Sequence, residues 1–354
     1  MTRSSRSVRL TCAALSLTCL MGAAACGGHH KKKAVSSSVV TPTPTKAVTP
    51  GPKPRPKPKP KRKAAAVDPL VGGKPRGGIV VAVKIDDTAN GRPQIGIDAA
   101  DIVYIEQVEG GLTRTIAVFH SRKPVPVGPV RSVRANDPEL LTQYGRIAFV
   151  ASGGGGDSLP ALDNSILHAD INDRGGPGFS RDGNRPVPYN LLFDMGQLPR
   201  TFAAGAKSIG FTWSASTSRL KGTARAAQLH TVVGGTPVQF TWSSGLNRYV
   251  RVIDGAVQRA ADGALIATPN VIVQFCKGHV NNNDVDAAGN PGFFTETIGT
   301  GRVAVYRNGH RVDGSWSRKT IGSGTRLKDK YGRAIPLAPG GAWVVLVDTA
   351  APLG

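Results

Sequence analysis

Residues 101–134 constrain the fold more than any other part of the chain. Their sequence, DIVYIEQVEGGLTRTIAVFHSRKPVPVGPVRSVR, alternates apolar and polar residues on both sides of a Gly-Gly pair. This alternation predicts a strand over 101–108, a turn over 109–112 and a returning strand over 113–121. Gly128 and Pro129 then predict a second reversal, which would bring the following residues back towards the hairpin.

Carboxylates and guanidiniums are concentrated around these two turns. We expect four of them to meet at the open end of the hairpin: Glu109, Arg114, Arg131 and Arg134. Three guanidiniums repel one another, so further acids (Asp86, Glu106) or an anionic ligand would have to complete the charge balance. The candidate ligand-binding residues are Asp86, Arg92, Asp101, Glu106, Glu109, Thr113, Arg114, Arg131, Ser132 and Arg134.

These charges are open to three interpretations. In the first, the protein is an envelope hydrolase that uses Glu109 or Glu106 as acid or base while the arginines hold an anion. In the second, the arginines bind a carboxylate or phosphate of an envelope component without chemistry. In the third, a buried ion-pair network only fixes the two turns. The excess of positive charge ranks anion binding above acid catalysis, and the sequence assigns no catalytic residue.

Five motifs in and around this region resemble the YerB-like lipoproteins, a family of domains of unknown function (DUF3048). They are VKIDD at 83–87, RPQIG at 92–96, ADIVY at 100–104, VEGGLTR at 108–114 and GPVRSVR at 128–134. The resemblance extends from about residue 78 to the C-terminus. It implies a bacterial envelope lipoprotein of two domains and implies no reaction. Tyr189 stands where the family's Pro-His-Asn motif would have a histidine, which argues against a general base there.

The N-terminal residues 1–25 have the pattern of a lipoprotein signal peptide. Arg3, Arg6 and Arg9 precede an apolar stretch that ends in small residues before Cys26. The end of this stretch resembles the lipobox of bacterial lipoproteins, with Ala23 at the position usually occupied by leucine. We therefore expect a lipid anchor on Cys26 and a location at the extracytoplasmic face of the cell membrane. The alternative is ordinary cleavage, which leaves Cys26 as a free thiol.

Residues 26–66 are expected to form a disordered linker rich in proline and lysine. Residues 1–66 carry 14 of the 45 Lys and Arg residues and no acid, so most of the net charge of +22 lies there. Alternating prolines favour an extended path of ~3.1 Å per residue, on the order of 100 Å in total. The expected partners of this segment are an anionic wall polymer, a lipid headgroup or an envelope protein. The alternative is that the segment is only a spacer. This uneven charge gives no support for a specific nucleic-acid-binding fold.

The length of 354 residues favours about two domains in the remaining chain. We expect an α+β protein with a mixed α/β domain over 67–210 and a β-rich domain over 211–354. Predicted local elements include helices over 137–144, 159–166 and 198–210, and a β-hairpin at Asn308-Gly309.

A glycine-rich segment, residues 152–158, follows a predicted strand and precedes a predicted helix. This order can bind an anion on main-chain N–H groups, but a permissive turn with Asp157 or Ser158 as helix cap is favoured. The segment lacks the lysine of a phosphate-binding loop, and no metal-binding motif is found. We therefore predict no cofactor and no metal, and Cys276 is expected to be a buried structural thiol.

Overall fold

The computed structural model describes residues 66–198, 205–286 and 288–354 of the chain. The predicted signal peptide, Cys26 and residues 26–65 of the predicted linker lie outside the described residues. Among those that are described, no helix is both long enough and apolar enough to cross a lipid bilayer.

Strands dominate the described part of the chain, and its helices are short. The α-helices are α1 (Asp137–Leu141) and α2 (Ser158–Asp163), and the 3-10 segments are Ala89–Gly91, Ile97–Ala99, Glu109–Gly111, Thr142–Tyr144, Asn172–Arg174, Met195–Gln197 and Ser218–Leu220. The strands are β1 (Val81–Asp86), β2 (Ile102–Gln107), β3 (Thr113–Phe119), β4 (Ala148–Ala151), β5 (His168–Ile171), β6 (Phe179–Arg181), β7 (Leu191–Phe193), β8 (Ala224–Arg225), β9 (Gln228–Val233), β10 (Thr236–Ser243), β11 (Arg248–Ile253), β12 (Ala256–Val257), β13 (Ala267–Thr268), β14 (Asn270–Cys276), β15 (Gly278–Val285), β16 (Pro291–Thr295), β17 (Gly299–Arg307), β18 (His310–Arg318), β19 (Arg326–Asp329) and β20 (Ala342–Asp348).

One large mixed sheet organises these strands. Its order in the described residues is β19-β18-β17-β14-β20-β2-β3-β1-β4-β5, with β8 added beside β18. The predicted hairpin β2–β3 is antiparallel and central, and β2 pairs in parallel with β20. The predicted domains 67–210 and 211–354 thus contribute neighbouring strands to one sheet. The α+β prediction is confirmed in its coarse form, a strand-rich mixed fold, but the described residues do not form a distinct mixed α/β N-terminal domain.

Apolar side chains cover both faces of this sheet, which explains why its central strands are nearly continuous apolar runs. One face, with Val83 and Ile105, packs against a smaller sheet of β9–β13 through residues such as Phe240. The other face, with Ala82 and Ile116, packs against α1 and the residues around it. Burial on both sides fixes the register of the central strands, because a shift by one residue would exchange the two faces.

At one end of the second face, charged residues replace apolar ones in the same alternation. Lys84 and Asp86 lie in the second half of β1, Glu106 lies near the end of β2, and Arg114 is the second residue of β3. Arg114 is directly opposite Asp86 on one side and Glu106 on the other. Cross-strand partners lie on the same face of a sheet, so these charges are brought together by register alone.

The predicted local elements have mixed outcomes. The helix at 137–144 is confirmed as α1 with its 3-10 extension, and Asn308 and Gly309 form a tight hairpin turn with φ of 51° and 71°. The predicted helix at 198–210 is wrong where it is described, since Gly205 bridges Ile79 and the residues after it are not helical. Leu198 and Ile209 are buried on opposite faces of the large sheet, so they do not form one helical stripe.

Candidate functional site

Arg114 is the central residue of the candidate site. The turn before it is made tight by Gly110 and Gly111, whose φ values of 62° and 72° suit glycine. The residue is only 6% exposed. Its nearest carboxylate oxygens are Glu109 Oε2 at 3.9 Å and Asp86 Oδ2 at 4.0 Å, beyond hydrogen-bonding distance. Within the described residues, its Nε and Nη1 atoms have no hydrogen-bond partner.

Two further arginines reach Arg114 from the chain after the Gly128-Pro129 reversal. Arg131 N donates to Lys84 O at 2.9 Å, which places this segment beside β1. The Nε atom of Arg131 lies 2.9 Å from Asp86 Oδ2, although its N–H does not point at that oxygen. The Nε atom of Arg134 contacts Glu109 Oε1. Glu109 therefore lies beside Arg114 and Arg134, and Arg131 joins the group through Asp86.

The ionisation of this arginine cluster follows from burial and from the repulsion between like charges. Burial, together with the charges of Arg131 and Arg134, lowers the pKa of Arg114 to about 10, against the opposite effect of the nearby acids. Burial alone would raise the pKa of Glu109, but the hydrogen bond and charge of Arg134 outweigh it and lower that pKa. Glu109 is therefore an anion at neutral pH, and it is poorly suited to donate a proton.

Glu106 takes part in a second network and does not balance the arginines directly. It contacts Lys84 Nζ and accepts a 2.8 Å hydrogen bond from Asn136 Nδ2. Lys84 Nζ also donates to both oxygens of Asp137 at 2.8 Å. Burial lowers the pKa of Lys84 to about 8, although Asp137 acts in the opposite direction. This network ties β1 and β2 to α1, and Asp86 is the acid that joins Glu109 at the arginines.

Asp101 lies at the other end of the β2–β3 hairpin, away from the arginine cluster. It accepts hydrogen bonds from His120 N at 2.6 Å, from Ser121 N at 2.7 Å and from the Ser121 hydroxyl. Its carboxylate is thus used to close the end of the hairpin. It was included with the other charged residues of 101–134, although the strand predicted over 101–108 already places residue 101 at the end away from the turn.

Thr113 and Arg92 belong to a neighbouring network around Asp87. Thr113 Oγ1 donates to Asp87 Oδ2 at 2.8 Å, and Arg92 Nε donates to Thr88 O at 3.1 Å. Arg251 donates to both oxygens of Asp87 at 2.7 Å. The structure therefore links Thr113 to the buried Asp87–Arg251 pair, while the half-buried Arg92 bonds the main chain of Thr88 beside it.

The glycine-rich segment lies along the arginine-bearing strand segment. Ser152 N donates to Arg131 O at 2.9 Å, and Val133 N donates to Gly153 O at 2.8 Å. The predicted site residue Ser132 lies with its hydroxyl 3.3 Å from that of Ser152. The two features that the sequence analysis treated separately are therefore adjacent in the fold.

Asp284 and Tyr189 border the site without having been predicted there. Ser158 donates its hydroxyl to Asp284, and a Cβ at Gly156 would lie 1.6 Å from Asn283 O, so only glycine permits this contact. Burial raises the pKa of Asp284, partly opposed by the hydrogen bond from Ser158. The Tyr189 ring stacks on Arg131 at 5.3 Å. Asp157 occupies the N-cap position of α2, one of the two predicted, but its side chain makes no cap hydrogen bond, and the Ser158 hydroxyl bonds Asp284 instead.

The described residues provide neither a group of metal ligands nor a reactive thiol. Among residues 66–198, 205–286 and 288–354, no three His, Cys, Asp or Glu side chains are grouped as metal ligands. Cys276 is buried and unpaired, and burial raises its pKa to about 12. This agrees with the structural thiol expected from the sequence, since the thiolate is the reactive form.

Comparison with known families defines the class of the protein. Residues 71–211 match the N-terminal domain and residues 227–344 the C-terminal domain of the family described as "Protein of unknown function (DUF3048)". The chain belongs to this family, which confirms the resemblance seen in the sequence motifs.

Two matches then connect the chain to a particular protein. The "Putative lipoprotein YerB" of Bacillus subtilis (strain 168) is 24% identical in an alignment of 280 residues that covers 75% of this chain and 80% of that protein. The crystal structure of the YerB protein from Bacillus subtilis aligns with a TM-score of 0.69 and 21% identity, over 82% of this chain and 99% of that one. The second match shows that the fold is shared.

Proposed function

We propose that this protein is a lipid-anchored protein of the extracytoplasmic membrane face, and that its arginine cluster binds an anionic group of an envelope component. One observation carries the binding role: Arg114 is buried, and two of its N–H-bearing nitrogens lack acceptors among the described residues. An unmade hydrogen bond from a buried charged group is costly, so a carboxylate or phosphate oxygen placed there would stabilise the site.

The ionisation of the acids favours binding over acid catalysis. A general acid that works near neutral pH needs a raised pKa, whereas the pKa of Glu109 is lowered. The other acid of the hydrolase interpretation, Glu106, is held by Lys84 and Asn136. No observation therefore favours the hydrolase interpretation.

The location and the partners in this proposal come from the N-terminal sequence and from a relative. Cys26 follows a signal-peptide pattern, and the Bacillus relative is described as a lipoprotein. The 11 basic residues between Lys31 and Lys63 would add salt-sensitive attraction to anionic surfaces. An anionic wall polymer, a lipid headgroup or an acidic envelope protein could each supply the anion.

The binding role is tested with Arg114→Gln in the full-length protein in detergent micelles. We expect calorimetric titration with inorganic phosphate at low salt to show binding that is at least about tenfold weaker in the variant, because a charged hydrogen-bond donor is lost. Arg307→Gln is the matched control, since Arg307 is also buried but bonds main-chain carbonyls elsewhere. Equal phosphate affinity in wild type and Arg114→Gln would identify the cluster as a structural ion-pair network.

The anchor is tested with Cys26→Ser. Lipid on this residue is the proposed membrane attachment, so the variant should leave the membrane fraction or accumulate as an unprocessed precursor. Fractionation followed by mass determination distinguishes these forms. A variant of mature size that remains in the membrane fraction would contradict lipid anchoring at Cys26.

A further inference from the structure

A second cleft lies at the opposite end of the β2–β3 hairpin, beside Asp101 and Ser121. Its volume is about 340 Å³, and its lining includes Arg76, Arg122, Arg248, Asp98, Ile266 and Trp343. The six-residue strand β2 separates it from the arginine cluster by about 20 Å. The cleft is therefore a separate site, and it is formed by segments from both halves of the chain.

The positive charges in this cleft outnumber the negative ones. Arg122 is 3.9 Å from Asp98 Oδ2 and donates to Asp98 O at 2.5 Å. Arg76 and Arg248 instead each donate to a main-chain carbonyl at a long 3.4 Å. The other acid in the lining, Asp101, is already bonded by main-chain N–H groups. Three guanidiniums thus face one carboxylate that is free of such bonds.

Two of these arginines are close enough to repel each other. Burial lowers the pKa of Arg248, and the positive charge of Arg122 lowers it further. An anion bound between two guanidiniums removes this repulsion and gains charge-assisted hydrogen bonds from both. The remaining lining suits a hydroxylated molecule, because Asp98 accepts hydrogen bonds and the Ser121 hydroxyl, which donates to Asp101, can still accept one. Ile266 and Trp343 supply an apolar wall.

We infer that this cleft binds a small hydroxyl-rich anion, a sugar-sized molecule that carries a carboxylate or a phosphate. The three arginines hold the anionic group, while Asp98 and Ser121 hold hydroxyls. The volume falls within the range of small-molecule sites in proteins, roughly 300–1,000 Å³. The site is independent of the arginine cluster around Arg114.

The test uses the full-length protein in detergent micelles and three probes: glucuronate, glucose 6-phosphate and glucose. Calorimetry should show binding of at least one of the two acids, with glucose at least about tenfold weaker, and the tighter acid identifies carboxylate or phosphate as the preferred group. Arg248→Gln should weaken binding of that acid by about tenfold or more. Arg219→Gln is the control, because Arg219 is exposed and, like Arg248, bonds a main-chain carbonyl, but away from the cleft. Dissociation constants for both acids above about 1 mM, or equal affinity for glucose, would overturn the inference.

Tryptophan fluorescence locates the bound acid. Trp343 lines the cleft, so binding should change the emission of the wild type, and Trp343→Phe should remove that change. Trp316→Phe should retain it, because Trp316 is buried elsewhere and bonds Phe275 O. A response that survives in Trp343→Phe would place the acid outside this cleft and overturn the inference.

Discussion

Among single residues, Glu109 best distinguishes anion binding from catalysis. It contacts Arg134 and lies 3.9 Å from Arg114, so it competes with any incoming anion for both guanidiniums. We expect Glu109→Gln to bind inorganic phosphate more tightly than the wild type, by about threefold or more, since a nearby negative charge is removed. Calorimetry at low salt measures this change. A catalytic carboxylate would instead show its loss in turnover, with no gain in affinity.

The matched control for this variant is Glu296→Gln. Glu296 is exposed and lies near His279, away from the arginines, so its loss should leave phosphate affinity unchanged. Glu109→Gln should also lower the free energy of unfolding by about 1–3 kcal/mol, because Arg134 loses a charged partner. Weaker phosphate binding by Glu109→Gln, with the fold intact, would contradict the competition between glutamate and anion.

How far these residues could be predicted depends on the distance between partners in the sequence. Glu109 and Arg114 flank one turn, so their meeting follows from local spacing. The pairing of Glu106 with Lys84 needed the strand register, which the sequence does not state. Asp284 bonds Ser158 across 126 residues and sits in a polar stretch without a recognisable motif, so no sequence signal pointed to it.

Strands were predictable where their apolar residues alternate with polar ones or run continuously. Arg248–Ile253, Asn270–Cys276 and Ala342–Asp348 alternate or run apolar, and the structure has strands with those bounds. The strand Gly278–Val285 was missed because its residues are mostly polar or exposed, which leaves no hydrophobic period to detect. That strand carries Asp284 to the site, so the missed element and the missed site residue have one cause.

Across the whole molecule, pairing between distant segments determines the architecture. The described residues between 66 and 354 form one compact unit, in which β2 pairs in parallel with β20 more than two hundred residues later. Each of these strands is recognisable alone, but a parallel pair has no connecting turn that would reveal its partner. The sequence therefore predicted two successive regions, and the shared sheet was visible only in the structure.

The Asp87–Arg251 pair links the large sheet region to the smaller sheet and should be a major contributor to stability. Both side chains are almost fully buried, and Arg251 donates to both Asp87 oxygens at 2.7 Å. We expect Arg251→Met to lower the free energy of unfolding by about 3–5 kcal/mol, because it leaves a buried carboxylate unpaired. Urea unfolding at neutral pH measures the loss. Arg259→Met, which removes an exposed arginine nearby, should change it by less than about 0.5 kcal/mol.

The pH dependence of this loss identifies its cause. Burial would raise the pKa of Asp87, but the charge and hydrogen bonds of Arg251 outweigh it, so the folded-state pKa is below the ordinary 3.8. The pair therefore stabilises the protein fully above that ordinary value, and its contribution is lost as the pH falls through the lower folded-state pKa. In Arg251→Met the unpaired Asp87 takes up a proton at higher pH, which relieves the variant's penalty. The stability difference between wild type and variant should thus be largest near neutral pH and shrink towards about pH 3, whereas a constant difference would show that lost packing of the arginine, and not the ion pair, accounts for it.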